Sequence, residues 1–431
     1  MFRIMVFALF ALIASQFGTQ EACAHFLFAH VVRGTDPRIE LHFAESAWDF
    51  SSNQRMVGLM APVEGWLPDG RSISFVSEPA CMTAPLPAGE SIASTGFTYG
   101  MMTRGEAFLL QYHAKGTGDL ESASRTTGMD AEIIATPVND ERLMLKVLFK
   151  GEPAADAEII VPAGGRLTEQ LKTDAEGQVE IDMPRTPLYS FRAMVPETRS
   201  GVHKDQAYDL VRHYTTLTVH GSDDIPGSSD GLAWAILHDA YASSNAYFNQ
   251  KSPWNASLRM TSENGTVQCT VNHDGERLSI QESNQLTTEQ KSNLEFMEVF
   301  PHPQTLSGLI VRFEEDRQAF AGSRIEIPEL NMSFMIKDRN IDLVTHDREG
   351  GMVRTDITNW SETDGIMLPE QFVVTRFNDE GEIMNVSMIK QSFSEQNDLH
   401  IPANLTINHV ESRKSTNPVQ IRLSNVTHQS E

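Results

Sequence analysis

The chain has 431 residues, 34 Lys and Arg against 58 Asp and Glu, and a formal net charge of -24. At about 100–200 residues per domain, this length predicts two or three domains. With 40% hydrophobic and 8% aromatic residues the chain can build real cores and is not a disordered polymer. The acidity excludes nucleic acid and an anionic membrane surface as partners, since both need clustered Lys and Arg; it favours solubility and can attract cations.

The first residues read as an address. Arg3 and the apolar run Ile4 to Ala14 precede Ala22-Cys23-Ala24, the small-residue pattern of a signal-peptide cleavage site. The run is too short for a bilayer-spanning helix of roughly 20 residues. It predicts export to the periplasm or beyond, with cleavage after Ala24 and His25 as the mature N-terminus. Gln20-Glu21 stand where a lipid-anchor motif wants an apolar residue, and no later stretch is apolar enough to span a membrane. Cys81 and Cys269 then remain. Two cysteines are no disulfide framework, so buried thiols are expected, with a single interdomain bridge as the alternative.

Residues 25–130 predict an N-terminal β domain. His25 to Val32 is a mostly apolar strand, Arg38 to Phe43 alternates with Ile39 and Leu41 on one face, and Phe108 to His113 reads as a buried strand. Gly116 to Gly128 is polar and resembles a linker. Residues 131–221 predict a small β-sandwich. Leu143, Leu145, Val147 and Phe149 share a face, as do Val179, Ile181 and Met183, and turns fall at Gly151-Glu152-Pro153 and Thr173 to Gly177. Residues 222–230 form a linker by composition. Residues 231–431 predict a larger antiparallel, curved sheet with a few helices. Leu232, Ala235, Ile236 and Ala240 have helical spacing, Asn264-Gly265 is a hairpin signal, and Thr287-x-x-Gln290 is a capping box for a helix carrying Leu294, Met297 and Phe300. Hairpin turns follow at Asp338-Arg339-Asn340, Glu349-Gly350-Gly351 and Asp379-Glu380-Gly381. The whole is mainly β: two small sandwiches and one large sheet.

These residues carry resemblances. Ala24-His25-Phe26-Leu27 after a signal segment, the strand Phe108-Leu109-Leu110-Gln111-Tyr112-His113-Ala114, and Gly151-x-Pro153 followed by Thr173-Asp174-x-x-Gly177 resemble a secreted bacterial domain of unknown function once described as a nickel-uptake periplasmic component. The second of its halves is similar to the transthyretin-like or carboxypeptidase-regulatory sandwich. The last region resembles another uncharacterised bacterial β-rich family through Ala240-Tyr241, the Trp254 strand and Asp364-Gly365-x-x-Leu368-Pro369. That turn is similar to those of lipoprotein-carrier sheets. The resemblances imply β folds and metal handling, and neither implies a catalytic activity.

The candidate chemistry starts at His25. A terminal His offers an amine and an imidazole to one ion, which suits Cu(II) or Ni(II), with Co as a further option. His42 or His113, arriving from other strands, would complete the set. His30 is five residues from His25, so a flat strand places the two on opposite faces. Glu45 and Asp49 are oxygen donors within reach. His203, His213 and His220 read as structural or solvated, as do His238, His273, His302 and His346. Gly227 to Gly231 matches G-x-S-x-G but lacks the strand before it that a nucleophile elbow needs. Met101, Met102, Met332 and Met335 are candidate soft Cu(I) ligands, against the far commoner role of core filling. Phe334, Ile336, Leu343, Phe372 and Val374 face either a filled core or an apolar ligand. A copper oxygenase using a histidine brace would need a second His at a recognisable site and a flat aromatic binding surface, and the sequence marks neither. The sequence therefore predicts a non-catalytic exported protein that binds a transition metal (Ni, Co or Cu). The alternative is an envelope interaction protein whose C-terminal sheet takes a lipid-like or protein partner.

Overall fold

The computed structural model describes residues 25–34, 36–50, 54–104, 106–162, 168–184, 186–220, 225, 229–243, 253–274, 278–281, 286–294, 296, 306, 308–314, 322–337, 339–363, 366–396, 399–411, 414–415 and 417–428. The signal segment, Met297, Phe300, His302, Asp338, Asp364-Gly365 and most of the 222–230 linker lie outside the described residues.

The N-terminal half stacks three sheets. Its middle layer has eight strands in the order β13 (Thr168–Lys172), β12 (Glu158–Pro162), β15 (Leu188–His203), β16 (Gln206–His220), β8 (Glu106–Thr117), β7 (Ile92–Arg104), β3 (Glu64–Trp66) and β4 (Ser72–Ile73). One pairing is parallel, β16 with β8, from Val211 opposite Leu109 to Val219 opposite Thr117. The strands on either side of the expected break near residue 130 thus belong to one sheet. The first outer layer holds β1 (Phe26–Val32), β2 (Arg38–Ala44), β6 (Met82–Pro85) and β5 (Val76–Ser77). The second holds β9 (Ala131–Pro137), β10 (Arg142–Phe149), β11 (Glu152–Pro153) and β14 (Gln178–Asp182).

Strand alternation explains how the middle layer serves both neighbours. On β16, the Thr216 hydroxyl donates to the Leu27 carbonyl of β1 at 2.6 Å. The flanking Leu217 and Val219 instead join Ile133, Leu143 and Leu145 in the core on the other side. The β1 backbone lies directly on β8 at Gly116, where a Cβ would stand 2.5 Å from the Ala29 carbonyl oxygen. A residue with a side chain there would push the layers apart.

From residue 231 the chain forms the helix Gly231–Ser243 and a sheet whose strands run from β17 (Trp254–Ser262) through β29 (Val419–His428), thirteen of them among the described residues. Residues Gly231 to Leu237 of the helix are buried without a break. A helix apolar all round must be surrounded. The inner face of the sheet surrounds it, with Leu258, Phe334, Phe372, Ile389, Leu405 and Ile421 in one core with the helix. Phe334, Ile336, Phe372 and Val374 are buried in that core, and Leu343 is half-buried. The capping box forms as read: the Thr287 amide donates to Gln290 Oε1 and the Gln290 amide to Thr287 Oγ1.

Candidate metal centre

Alternation on β2 builds the site. Ile39, Leu41 and Phe43 fill the apolar core of the first outer layer. Arg38, Glu40 and His42 therefore share the other face of the strand. The β1–β2 register sets His30 opposite Glu40 and Phe28 opposite His42. The β2–β6 register ends at Leu41 opposite Met82. One step further, Cys81 stands beside His42.

Glu40, His42 and Cys81 are 0–2% exposed, and one ligand atom from each lies within 4.8 Å of the others. Donors around one ion at about 2.0–2.3 Å stand roughly 3.3–3.6 Å apart. Closure on a metal therefore needs a contraction of at most about an ångström.

The hydrogen bonds leave this group primed. The Arg38 guanidinium donates to Glu40 Oε1 at 2.7 Å through Nε and to Asp230 Oδ2 at 2.7 Å. His42 Nε2 is 3.0 Å from Glu40 Oε2. Glu40 Oε2 can accept a proton from this nitrogen, and an ion bound between the two would take that proton's place. Among the described residues the other ring nitrogen, Nδ1, is buried with no hydrogen-bond partner. His30 Nδ1 is 3.3 Å from His220 Nε2, and the His30 ring stands 5.5 Å from both the His42 and His220 rings. Phe50 covers the group, at 5.3 Å from His30 and 4.8 Å from His42. Burial lowers the pKa of His220 to about 4, against the opposing pull of Glu40 and Asp230. The ring is neutral near pH 7. A thiol, an imidazole and a carboxylate buried together form a donor set for a borderline transition metal.

The residues expected from the sequence are not brought together. His25 has the parity of Phe43, on whose ring it stacks at 5.8 Å, so it lies on the opposite face of the β1–β2 pair from His42. Its carbonyl accepts from the Tyr112 hydroxyl. His113 lies in the middle layer, its Nε2 3.2 Å from His213 Nδ1, and His213 Nε2 is 3.0 Å from Glu197 Oε2. Burial lowers the His113 pKa to about 4. His42 thus meets His30, the residue that its distance from His25 had set aside. His213 and His220 are both buried and paired.

Glu40 and Cys81 escaped the sequence reading as ligands. Their signal was Arg38-x-Glu40-x-His42: three polar residues on one face of a strand whose other face is apolar. Among the described residues no disulfide joins Cys81 and Cys269. Ser229, centre of the G-x-S-x-G match, is buried and its hydroxyl accepts the Val311 amide at 3.0 Å, which pins the chain where it enters the helix.

No protein-family model and no curated protein matches the chain, so the family resemblances drawn from sequence motifs gain no support there. Among solved structures, a domain from Vibrio parahaemolyticus assigned to outer membrane lipoprotein sorting aligns with 44% of this chain and 92% of its own, at 7% identity and a TM-score of 0.24. A Ca2+-stabilised ice-binding adhesin of an Antarctic bacterium aligns with 92% of this chain and 99% of its own, at 10% identity and a TM-score of 0.14. Likenesses this distant carry no argument about activity, and the site geometry stands by itself.

Proposed function

We propose that this chain is an exported, non-catalytic binding protein that holds a divalent transition metal between Glu40, His42 and Cys81. The observation that carries the reading is the convergence of three different donor atoms, all buried and within 4.8 Å, with His42 Nε2 only 3.0 Å from Glu40 Oε2. Charge supports a divalent ion. A carboxylate and a thiolate neutralise it, and Arg38 is already matched by Asp230 at 2.7 Å. Buried charge is tolerated only when balanced in this way. Ni(II) and Cu(II) are the ions that the sequence reading favours, and Zn(II) accepts the same donors.

Titration of the purified protein with each ion, followed by calorimetry and near-ultraviolet absorption, tests the reading. We expect one equivalent to bind with a thiolate-to-metal charge-transfer band for Ni(II) or Cu(II). Cys81→Ser should remove the band and weaken binding by more than the roughly 10–100-fold that outer-shell partners command. A wild-type protein that takes up none of the three ions overturns the proposal, as does a Cys81→Ser variant with unchanged affinity and spectrum.

A second reading rests on the outer face of the C-terminal sheet. Met384 and Met388 of β26 (Ile383–Gln396) are 66% and 53% exposed, and Val410 of β27 (Leu399–Glu411) is 41% exposed. Val410 pairs with Val386, so Val386, Met388 and Val410 share the outward face, while Ile389 and Ile407 point to the helix. An apolar strip on an otherwise acidic protein suits an uncharged lipid surface better than an anionic one. Co-sedimentation with phosphatidylcholine vesicles should pellet the wild type and leave Met384→Glu/Met388→Glu in the supernatant. A wild type that stays in the supernatant ends the lipid form of this reading.

A further inference from the structure

We infer that Asp230, which touches none of the metal donors, sets the metal affinity of the Glu40–His42–Cys81 site through Arg38, and that metal binding is felt in return at the start of the helix Gly231–Ser243. The inference rests on the metal-binding reading above and assigns that site its regulation.

The link is one guanidinium shared by two carboxylates. Arg38 contacts Glu40 at 2.6 Å and Asp230 at 2.7 Å. Asp230 divides its own carboxylate. Oδ2 accepts from Arg38, and Oδ1 accepts the Leu232 and Ala233 amides at 3.0 and 3.1 Å. These amides open the helix around which the C-terminal sheet packs. The path therefore runs from a candidate ligand, through one side chain, to a helix cap. Arg38 is 15% exposed and Asp230 20% exposed, so solvent screens the three charges only partly.

The sign follows from electrostatics. In the metal-free protein Glu40 and Asp230 compete for Arg38. An ion bound to Glu40 draws that carboxylate's charge to itself, repels Arg38, and leaves Asp230 as the better partner. The Asp230 carboxylate is then held more firmly beneath the two amides. Without the Asp230 charge, Arg38 would hold its whole positive charge against Glu40 and the arriving cation, and binding would weaken. Coupling of this kind is reciprocal.

Asp230→Asn is the informative variant, because Asn caps a helix about as well as Asp and removes only the charge. In competition titrations with Zn(II) we expect it to lower affinity about tenfold relative to wild type, a typical coupling between sites. Raising the salt concentration should shrink that difference. A wild type that binds Zn(II) and an Asp230→Asn variant with equal affinity overturn the coupling alone. A wild type that binds no metal overturns the parent reading and this one with it. Should the variant fail to fold, hydrogen exchange on the wild type decides. The Leu232 and Ala233 amides should exchange at least about threefold more slowly with Zn(II) bound, and unchanged exchange there overturns the coupling.

Discussion

Burial makes His113 and His220 poor proton acceptors, and the consequence is a stability that depends on pH. Both rings hold folded-state pKa values of about 4, with desolvation the main cause, against an ordinary value of 6.5. Depressed basicity means that the unfolded chain binds more protons across this interval, so stability rises with pH. The contribution is complete above about pH 6.5 and is lost as the pH falls toward 4. Between pH 7.5 and pH 5 each ring should remove about 2 kcal/mol from the unfolding free energy. Urea unfolding at the two pH values should show that loss, and His220→Gln should reduce it by about 2 kcal/mol, since Gln does not titrate. Parallel pH slopes for wild type and variant would falsify the assignment. In the sequence His213 and His220 read as structural or solvated, and nothing on their own strand marks the pairing. Their partners, His113 and His30, come from strands 100 and 190 residues away.

At the scale of the element, the readable features are those whose cause is local. A capping box needs only the side chains of Thr287 and Gln290, and the structure forms it. A tight turn does join β17 to β18 (Gly265–His273), but its two loop residues are Glu263 and Asn264, and Gly265, at positive φ, opens the returning strand opposite Ser262. Strand β2 was half readable. Ile39 and Leu41 marked the apolar face, yet the opposite face of a strand is ordinarily solvated, so Arg38, Glu40 and His42 did not stand out. What made them a site was a second covering on that face, supplied by residues far along the chain. Strand β8 is the extreme case. As part of a middle layer it is buried on both faces, so alternation gives no warning that Lys115 is fully buried. The cost of that charge is met by Glu132 at 2.9 Å and by the Arg125 carbonyl at 2.9 Å. Glu132 in turn accepts from the Thr127 amide and hydroxyl. The polar stretch 116–128, read as a linker, is thus held to the sheet by a buried ion pair. The desolvation of such a pair offsets much of its attraction, so it is weak evidence for added stability.

At the scale of the whole molecule, the composition and mainly-β class were legible, and so was the large C-terminal sheet. The joins were not, because pattern rules act within tens of residues and the joins span hundreds. Val32 and Leu188, from the N-terminal half, belong to the same core as the C-terminal helix and sheet. Gly34 bridges to Asp230, and the Asp230 amide donates to the Val311 carbonyl. Arg339 pairs with the buried Asp239 at 2.8 Å and lies over the Trp48 ring. A seam so stitched should make the two halves unfold together, since neither core is complete without the other. Gly231 is where this can be broken with one atom. A Cβ there would stand 1.9 Å from the Arg33 carbonyl oxygen, a backbone contact that no rotamer relieves. Gly231→Ala must separate the seam, at a cost on the order of 3 kcal/mol. Scanning calorimetry should give one transition for the wild type, with calorimetric and van't Hoff enthalpies in agreement. The variant should melt lower and split into two transitions as the halves lose their coupling. Two transitions already present in the wild type would show that the seam does not unite the halves, and an unshifted single transition in Gly231→Ala would show that the close approach at Arg33 is not required.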